Sequence, residues 1–572
     1  MIYIRSRGEG CLVKTSVVGC RITGLDNVRR SSTKTSAPSD RRHCSTPMAR
    51  ACRLRLAASD FHFKESGESE VAIANNKSQK SSEGMLQSQR VRWPATRALS
   101  GCASRSRSVH AAGWRPGLST LAIETSCDDT SVALLEIQKD NASTANPRQL
   151  RTHVAYHERI TANSAAYNGI HPLVALHSHQ TSLAGLVADA LAQNAGAKPT
   201  FVSVTRGPGM RSNLTVGLEL AKGLALAWGV PLIGVHHMQA HSLTPRLCST
   251  LESLPELYQG PWESTSLQPS FPYLSVLASG GHTMLVNSAG LTDHQILAST
   301  GDIAIGDCLD KAARALLPSD LMKPPYGKAL EEFAFPNGAS DYKYTAPVNR
   351  GEELTRRATK WGWSLGAPLA DSKSGEKSSR RMAFSFAGLL TSVQRFMKQK
   401  ITADGTATAE LRNPESIPIE ERRDMAREVL RVSFEHLASR ILIRLEDTVG
   451  CKAKLVTTDA AKDIDTVVIS GGVASNRYLR HLLRAMLDAR GYGHIRAIFP
   501  PPSLCTDNAL MIAWAGMEMY TAGYQSTFDI TPVRKWSMDS RAEDGGILGA
   551  EGWLHHGISL PAVQKSQAIT PP

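Results

Sequence analysis

Several features are missing from this 572-residue chain, and each absence narrows the reading. No run approaches the roughly 18 consecutive apolar residues of a membrane-spanning helix, so no membrane partner is expected. The ten cysteines include no C-x-x-C pair; five (Cys11, Cys20, Cys44, Cys52, Cys102) stand in the first 115 residues and the rest are far apart. This is neither a disulfide framework nor a cysteine zinc cluster, and it fits a reducing compartment such as the cytosol or the mitochondrial matrix. No G-x-x-x-x-G-K-S/T stretch occurs, which excludes a P-loop. Past residue 115 there is no charge excess either. Of 65 Lys+Arg and 52 Asp+Glu, 21 and 8 fall in residues 1–115, leaving 44 of each sign in the remainder. The net charge of +13 and the pI of about 9.3 therefore come from the leader. A nucleic-acid partner cannot be argued from bulk charge, and any such footprint must be a local patch.

The leader itself is Arg- and Ser-rich with little periodicity, and its first fifty residues hold ten basic and three acidic side chains. That is the composition of a mitochondrial transit peptide. Met48 opens MARACRLRLAAS, which reads better as a presequence than what precedes it. The ordinary alternatives are a mis-assigned start codon or a disordered tail.

From Leu118 the texture changes. LSTLAIETSCDDTSVALLEI reads as a β-hairpin with Ser126-Cys127-Asp128-Asp129-Thr130 at its tip, and FPYLSVLASGGHTMLV repeats the shape around Ser279-Gly280-Gly281-His282-Thr283. Each hairpin is followed at a distance by a strand, a Gly-rich turn and an amphipathic helix: FVSVTRGPGMRSNLTVGLELAKGLALAWG in one half, TVVISGGVASNRYLRHLLRAML in the other. The matched order predicts an α/β protein of two duplicated lobes with a ligand cleft between them. Pro245–Ser270 and Asp404–Ile417 read as loops. A basic insertion spans about 335–382, with Arg356, Arg357, Lys360, Lys377, Arg380 and Arg381. Such a charge run is usually a solvated surface.

VHHMQAH places His237 and His241 four residues apart, hence on one helix face, and two neutral imidazoles suit zinc or iron(II). Asp507, before the apolar stretch ALMIA, supplies a carboxylate that would complete a His–His–Asp set or merely cap a helix. His236 points off that face. A zinc protease of the H-E-x-x-H type needs Glu after the first His; Met238 stands there, which argues against peptidase chemistry. The glycine turns Gly207-Pro208-Gly209, Ser279-Gly280-Gly281 and Gly471-Gly472 can present backbone N–H groups to phosphates, although each alone is more often just a turn. Asp310 would bind ribose hydroxyls or cap its helix, and Asn476 would bond a nucleotide or finish its turn.

With these residues assembled, the chain resembles the tRNA threonylcarbamoyladenosine transferase family, and within it the mitochondrial branch. IETSCDDTSVALL, GPGMRSNLTVGLELAKGLA, VHHMQAH, ASGGHTMLV, LDKAAR, FSFAGLLTSV, ISGGVASN and PPPSLCTDNALMIA occur in the family's order between about Leu121 and Asp539. The resemblance implies an actin/Hsp70/sugar-kinase-like pair of lobes. It implies one divalent metal ion per subunit, zinc or iron(II), on His237, His241 and Asp507. It implies a donor, threonylcarbamoyl-adenylate made by a separate synthase, held by Leu277, Ala278, Ser279, Gly280, Gly281, Asp310, Gly327 and Asn476. The implied acceptor is the adenosine following the anticodon in tRNAs reading codons that begin with A, and the implied assembly is a homodimer in the mitochondrial matrix.

Asp128, at the first hairpin tip, is the side chain expected to orient or deprotonate the attacking amine; its ordinary reading is a turn residue. The expected division is a leader (1–115), an N-terminal lobe with the His ligands (116–270), a C-terminal lobe with the donor loops and Asp507 (271–540) and a tail (541–572). Three positions depart from the family pattern: Pro324-Pro325-Tyr326-Gly327-Lys328 keeps one glycine of a pair, Leu390 replaces a familiar Lys, and an acidic pair is reduced to Asp302-Ile303. Tyr326 is expected to crowd the donor pocket. An ATP-dependent phosphotransferase of the same fold and a non-catalytic tRNA-binding protein are the competing readings; the retained His–His–Asp set speaks against both.

Overall fold

The computed structural model describes residues 116–138, 152–167, 169–194, 196–251, 267–371, 378–402, 407–452 and 464–556. The expected leader, Lys377 of the insertion and residues 557–572 of the expected tail lie outside these.

The first sheet starts as an antiparallel meander of β1 (Pro116–Glu124), β2 (Asp129–Gln138) and β3 (Thr152–Thr161). Helix α1 (Pro172–Gln193) leads to β4 (Phe201–Gly207), parallel to β1, and α2 (Arg211–Trp228) leads to β5 (Leu232–His236), parallel to β4. Helix α3 (His237–Cys248) follows directly. Period-two alternation allots each strand's residues to two cores. Leu121, Ile123, Val132 and Leu134 pack with α1 and α2, while Ala122, Ala133 and Leu135 face α3 and a C-terminal helix.

The second sheet repeats the plan with β6 (Tyr273–Ala278), β7 (Thr283–Ser288) and β8 (His294–Ser299) as a meander. Helices α4 (Ile305–Leu316), α5 (Tyr326–Ala334), α6 (Arg350–Leu354) and α7 (Ala387–Lys398) follow, then a small hairpin of β9 (Gln399–Ile401) and β10 (Ala407–Leu411), then the long α8 (Ile419–Lys452). Strand β11 (Thr466–Ser470) adds parallel to β6; after α9 (Arg477–Ala489), β12 (Arg496–Ile498) adds parallel to β11. The orders β3-β2-β1-β4-β5 and β8-β7-β6-β11-β12 are the same, with the same strand directions. This is the duplicated α/β architecture expected from the paired hairpins, and it agrees with the actin/Hsp70/sugar-kinase-like pair of lobes that the family resemblance implies.

The C-terminal boundary needs correction. After α10 (Pro502–Cys505) the chain returns to the first lobe: α11 (Ala509–Thr521) packs on β1 and β2, and β13 (Tyr524–Ser526) and β14 (Trp553–His555) extend the first sheet beyond β5. Neither a C-terminal lobe ending at 540 nor a tail starting at 541 fits this path. The cause is α11, ten of whose thirteen residues are buried; a helix apolar all round must be covered on every side. Arg246 of α3 clamps it with a forked ion pair to Glu518, at 2.8 and 2.9 Å.

The expected loops also carry structure. Helix α3 runs through Pro245 to Cys248, and β10 lies within 404–417. The basic insertion lies against α8 with its charges still largely solvated: Trp363 is fully buried, Arg357 meets Glu435 at 3.3 Å, Lys360 meets Asp424 at 3.5 Å and Arg380 meets Glu446 and Asp447 at 2.9 Å each, while Arg356, Lys360, Arg380 and Arg381 are exposed. Among the described residues no helix is long and apolar enough to cross a membrane.

Candidate metal centre and adjoining cleft

His237 opens α3 at the end of β5, so sheet and helix together fix its place. His236 is turned away: its Nδ1 accepts from Gln239 N and its Nε2 donates to the Trp536 carbonyl at 3.1 Å. One turn further on, the His241 ring stands at 89° to that of His237, with centroids 4.7 Å apart. Both Nε2 atoms face Asp507 Oδ1, at 3.5 Å from His237 and 3.1 Å from His241. One donor atom from each of the three lies within 4.8 Å of the others. The structure thus brings together all three residues that the sequence singled out.

Behind His237 lies a residue that sequence reading missed. Glu124, fully buried at the end of β1, places Oε2 3.4 Å from His237 Nδ1 and accepts from Ser126 N at 2.6 Å and from the Thr205 hydroxyl. A carboxylate that takes the Nδ1–H of a histidine leaves Nε2 as the free electron-pair donor, the arrangement found behind metal-bound histidines. Two buried imidazoles, one carboxylate and this support fit a zinc or iron(II) ion. The electrostatics agree. Burial alone would lower the His237 pKa, but Asp507 and Glu124 raise it to about 10. Burial would raise Asp507, but the two imidazoles hold it well below the usual carboxylate range. Carboxylates that attract a proton so strongly would attract a divalent cation as well.

The first hairpin tip borders this cluster and is held from below. The Cys127 carbonyl accepts from His179 Nε2 at 3.0 Å and Asn213 Nδ2 at 2.7 Å, and Thr130 Oγ1 lies 2.8 Å from His179 Nδ1. Asp128 is half-buried on this tip; burial and the nearby charge of Asp507 raise its carboxyl. Burial pushes neighbouring Asp129 up to about 7, against the pull of Arg159 at 3.8 Å. Arg159 donates to the Thr506 hydroxyl and, at 3.2 Å, to the Asp507 carbonyl. It ties β3 to the loop that carries the third candidate ligand, a role that only the tertiary structure reveals.

Arg159 and Thr506 also line a cleft of ≈ 560 Å³ whose other wall belongs to the second lobe, including Gly280, Gly306, Asp310, Gly327, Glu331 and Asn476. Four of the expected donor-binding residues, Gly280, Asp310, Gly327 and Asn476, are therefore in its wall. Ser279 closes its own turn, with its hydroxyl accepting from Gly281 N and His282 N at 3.3 and 3.1 Å. Leu277 and Ala278 are not in the wall; both are buried in β6. Burial raises Asp310 to about 6 despite Arg314 and a hydrogen bond from the Gly327 backbone. Asn476 Oδ1 caps α9 by accepting from Leu479 N at 2.9 Å.

Glu331, also missed in the sequence, accepts from Arg477 N at 2.8 Å, Tyr478 N at 3.0 Å and the Tyr342 hydroxyl at 3.1 Å. Gly471 lets β11 turn beside β6: its φ is +89°, and a Cβ there would stand 2.4 Å from the Ala278 carbonyl oxygen. The expected crowding by Tyr326 does not occur. The ring lies under the Arg314 guanidinium, 4.9 Å from it, and is not part of the wall. Asp302 accepts from the Ser385 hydroxyl at 2.6 Å and from Phe386 N and Ala387 N at 3.0 and 3.2 Å, which fastens the start of α7.

The family model described as tRNA N6-adenosine threonylcarbamoyltransferase matches residues 155–514. The chain is 34% identical to the mitochondrial tRNA N6-adenosine threonylcarbamoyltransferase of Schizosaccharomyces pombe, over 76% of this chain and 89% of that one. It is 31% identical to the tRNA N6-adenosine threonylcarbamoyltransferase of Methylocapsa acidiphila, over 76% and 99% respectively. Among solved structures, component A of Acidaminococcus fermentans (R)-2-hydroxyglutaryl-CoA dehydratase aligns at 13% identity with a TM-score of 0.31, covering 71% of this chain and 100% of that one. With the family model matched over more than half of the chain and two curated relatives matched over nearly their full lengths, the chain belongs to the tRNA N6-adenosine threonylcarbamoyltransferase family.

Proposed function

We propose that this protein transfers the threonylcarbamoyl group of threonylcarbamoyl-adenylate to N6 of the adenosine immediately following the anticodon, in mitochondrial tRNAs that read codons starting with A. The observation that carries the reading is the junction at Thr506-Asp507, where one strand of chain serves both the His–His–Asp cluster and the glycine-walled cleft. The adenylate part of the donor lies along Gly280, Gly327 and Asn476, with Asp310 accepting from ribose hydroxyls. The Gly280 backbone N–H at the second hairpin tip faces the phosphate.

In the reaction the N6–carbamoyl bond forms, the carbonyl–phosphate oxygen bond breaks, one amine proton departs and AMP leaves. Asp128, raised by burial and by Asp507, is suited to orient the amine and take that proton. His237, His241 and Asp507 would hold one divalent ion, which when bound supplies Lewis-acid polarisation at the carbonyl or the leaving phosphate. Glu124 keeps His237 in the required tautomer. The acting species is a homodimer in the mitochondrial matrix that needs no accessory subunit, and the donor comes from a separate synthase. Charge in residues 1–115 and the mitochondrial relative support the location.

The test is to incubate the chain with threonylcarbamoyl-adenylate, zinc or iron(II) and unmodified mitochondrial tRNA, then digest the tRNA and seek threonylcarbamoyladenosine by mass spectrometry, beside a His237→Ala reaction. Product from the wild type alone supports the reading. No product from folded, metal-loaded wild type, even with matrix extract, removes it.

A further inference from the structure

With 44 cations and 44 anions past residue 115, this protein has no bulk attraction for a polyanion. Among the described residues most of its cations are also occupied. Arg246 is forked on Glu518, Arg412 on Glu421 and Arg431 on Glu428, and the insertion's Arg357, Lys360 and Arg380 face α8. Arg211, Arg534 and Lys535 belong, with Lys343 and Lys398 of the second lobe, to the minority that is not occupied. All three are exposed, and among the described residues none makes a side-chain hydrogen bond or ion pair.

They also stand on segments that interlock at one place. Gly209 N donates to the Arg534 carbonyl at 3.3 Å, Met210 N to the Ser126 carbonyl at 3.0 Å, and Val533 N to the Arg206 carbonyl at 2.9 Å. The approach is built into the sequence: a Cβ on Gly209 would lie 2.8 Å from the Ser126 carbonyl oxygen. Ser126 in turn places its hydroxyl 3.3 Å from His237 Nδ1, and Trp536, next to Lys535, accepts from His236. These three cations therefore stand on segments that border the hairpin tip carrying Asp128, in the first lobe. Arg211 sits in the first turn of the 18-residue α2, where the exposed N–H groups add positive potential.

We infer that Arg211, Arg534 and Lys535 form the surface that grips the backbone phosphates of the tRNA's single-stranded loop while its adenosine enters the site. This rests on the transferase reading above. Guanidinium groups match phosphate oxygens with two parallel hydrogen bonds, and Lys535 adds a point charge. Contacts of this kind position a strand without reading its sequence.

The experiment is a steady-state transfer assay on the full chain with tRNA varied and salt stepped, comparing wild type, R211A/R534A/K535A, and a control that removes two exposed second-lobe cations, K343A/K398A. The expected result for the triple variant is a KM for tRNA raised about 10- to 100-fold, with a log KM against log salt slope shallower by about 2. Its kcat at saturating tRNA and its KM for the donor stay near wild type, and the control matches wild type throughout. An unchanged KM and salt slope in the triple variant, or an equal loss in the control, overturns the surface while leaving the transferase reading in place. A wild type that makes no product removes the reading on which the surface rests.

Discussion

The two hairpin tips sit at equivalent places in two lobes of one topology, yet they are built from opposite materials. The first, at 126–130, is held by side chains: Glu124, His179 and Asn213 anchor it from beneath and leave Asp128 at its surface. The second, at 279–283, closes on its own Ser279 hydroxyl, and a Cβ added at Gly280 or Gly281 would meet nothing within 4 Å. A duplicated scaffold thus presents fixed charged side chains from one side and open glycine backbone from the other. Acid–base work needs fixed side chains, whereas close approach to a phosphate needs their absence.

The sharpest way to break this contrast is at the side-chain lip. His237→Ala should lower transfer by roughly 1,000-fold, because removing one of three ligands removes several kcal/mol of charge stabilisation; product mass spectrometry and bound-metal analysis would show both losses. Asp128→Asn should lower kcat by about 100-fold with little change in bound metal, and a near-normal kcat would remove the proton-handling role. Glu124→Gln should weaken metal affinity by about 10- to 100-fold, read by competition with a chelator, since the amide no longer holds the imidazole as a carboxylate does.

At the backbone lip the expected effects are smaller and of another kind. Gly280→Ala should leave thermal stability within about 0.5 kcal/mol, because the added methyl meets open space, yet raise the KM for the donor several-fold by narrowing the cleft. The mildest test is pH. With Asp310 raised to about 6, its carboxylate protonates as pH falls through that value, so the donor KM should rise on the acid side and Asp310→Asn should flatten that limb.

The halves of the molecule were legible because their signals are local. Alternating apolar residues flanking a polar tip, followed by strand, glycine and helix, announce both lobes in windows of about twenty residues. The three candidate ligands were legible for the same reason, as a four-residue helical spacing and a carboxylate at a helix start. What escaped depended on distant partners. Arg159 meets Thr506 across 347 positions, and Glu331 serves the backbone at 477–478, 146 and 147 residues away. The return of the C-terminal segment escaped because α11 has no polar face to betray what it covers, and β13 and β14 are three residues each. Tyr326 was misjudged because its fate is set by Arg314, whose side chain the sequence could not place against it.

That return has a consequence for how the protein comes into being. His237 and His241 are made early, but the carboxylate opposite them and the outer strands of their own sheet are near the end of the chain. A ribosome that has delivered residue 506 has produced two histidines with no third ligand and a sheet with an unfinished edge. The His237–His241–Asp507 cluster is therefore completed late in the life of the polypeptide. Any truncation upstream of Asp507 leaves the two histidines without the carboxylate that faces them, so the complete cluster exists only in a chain whose synthesis has passed that point.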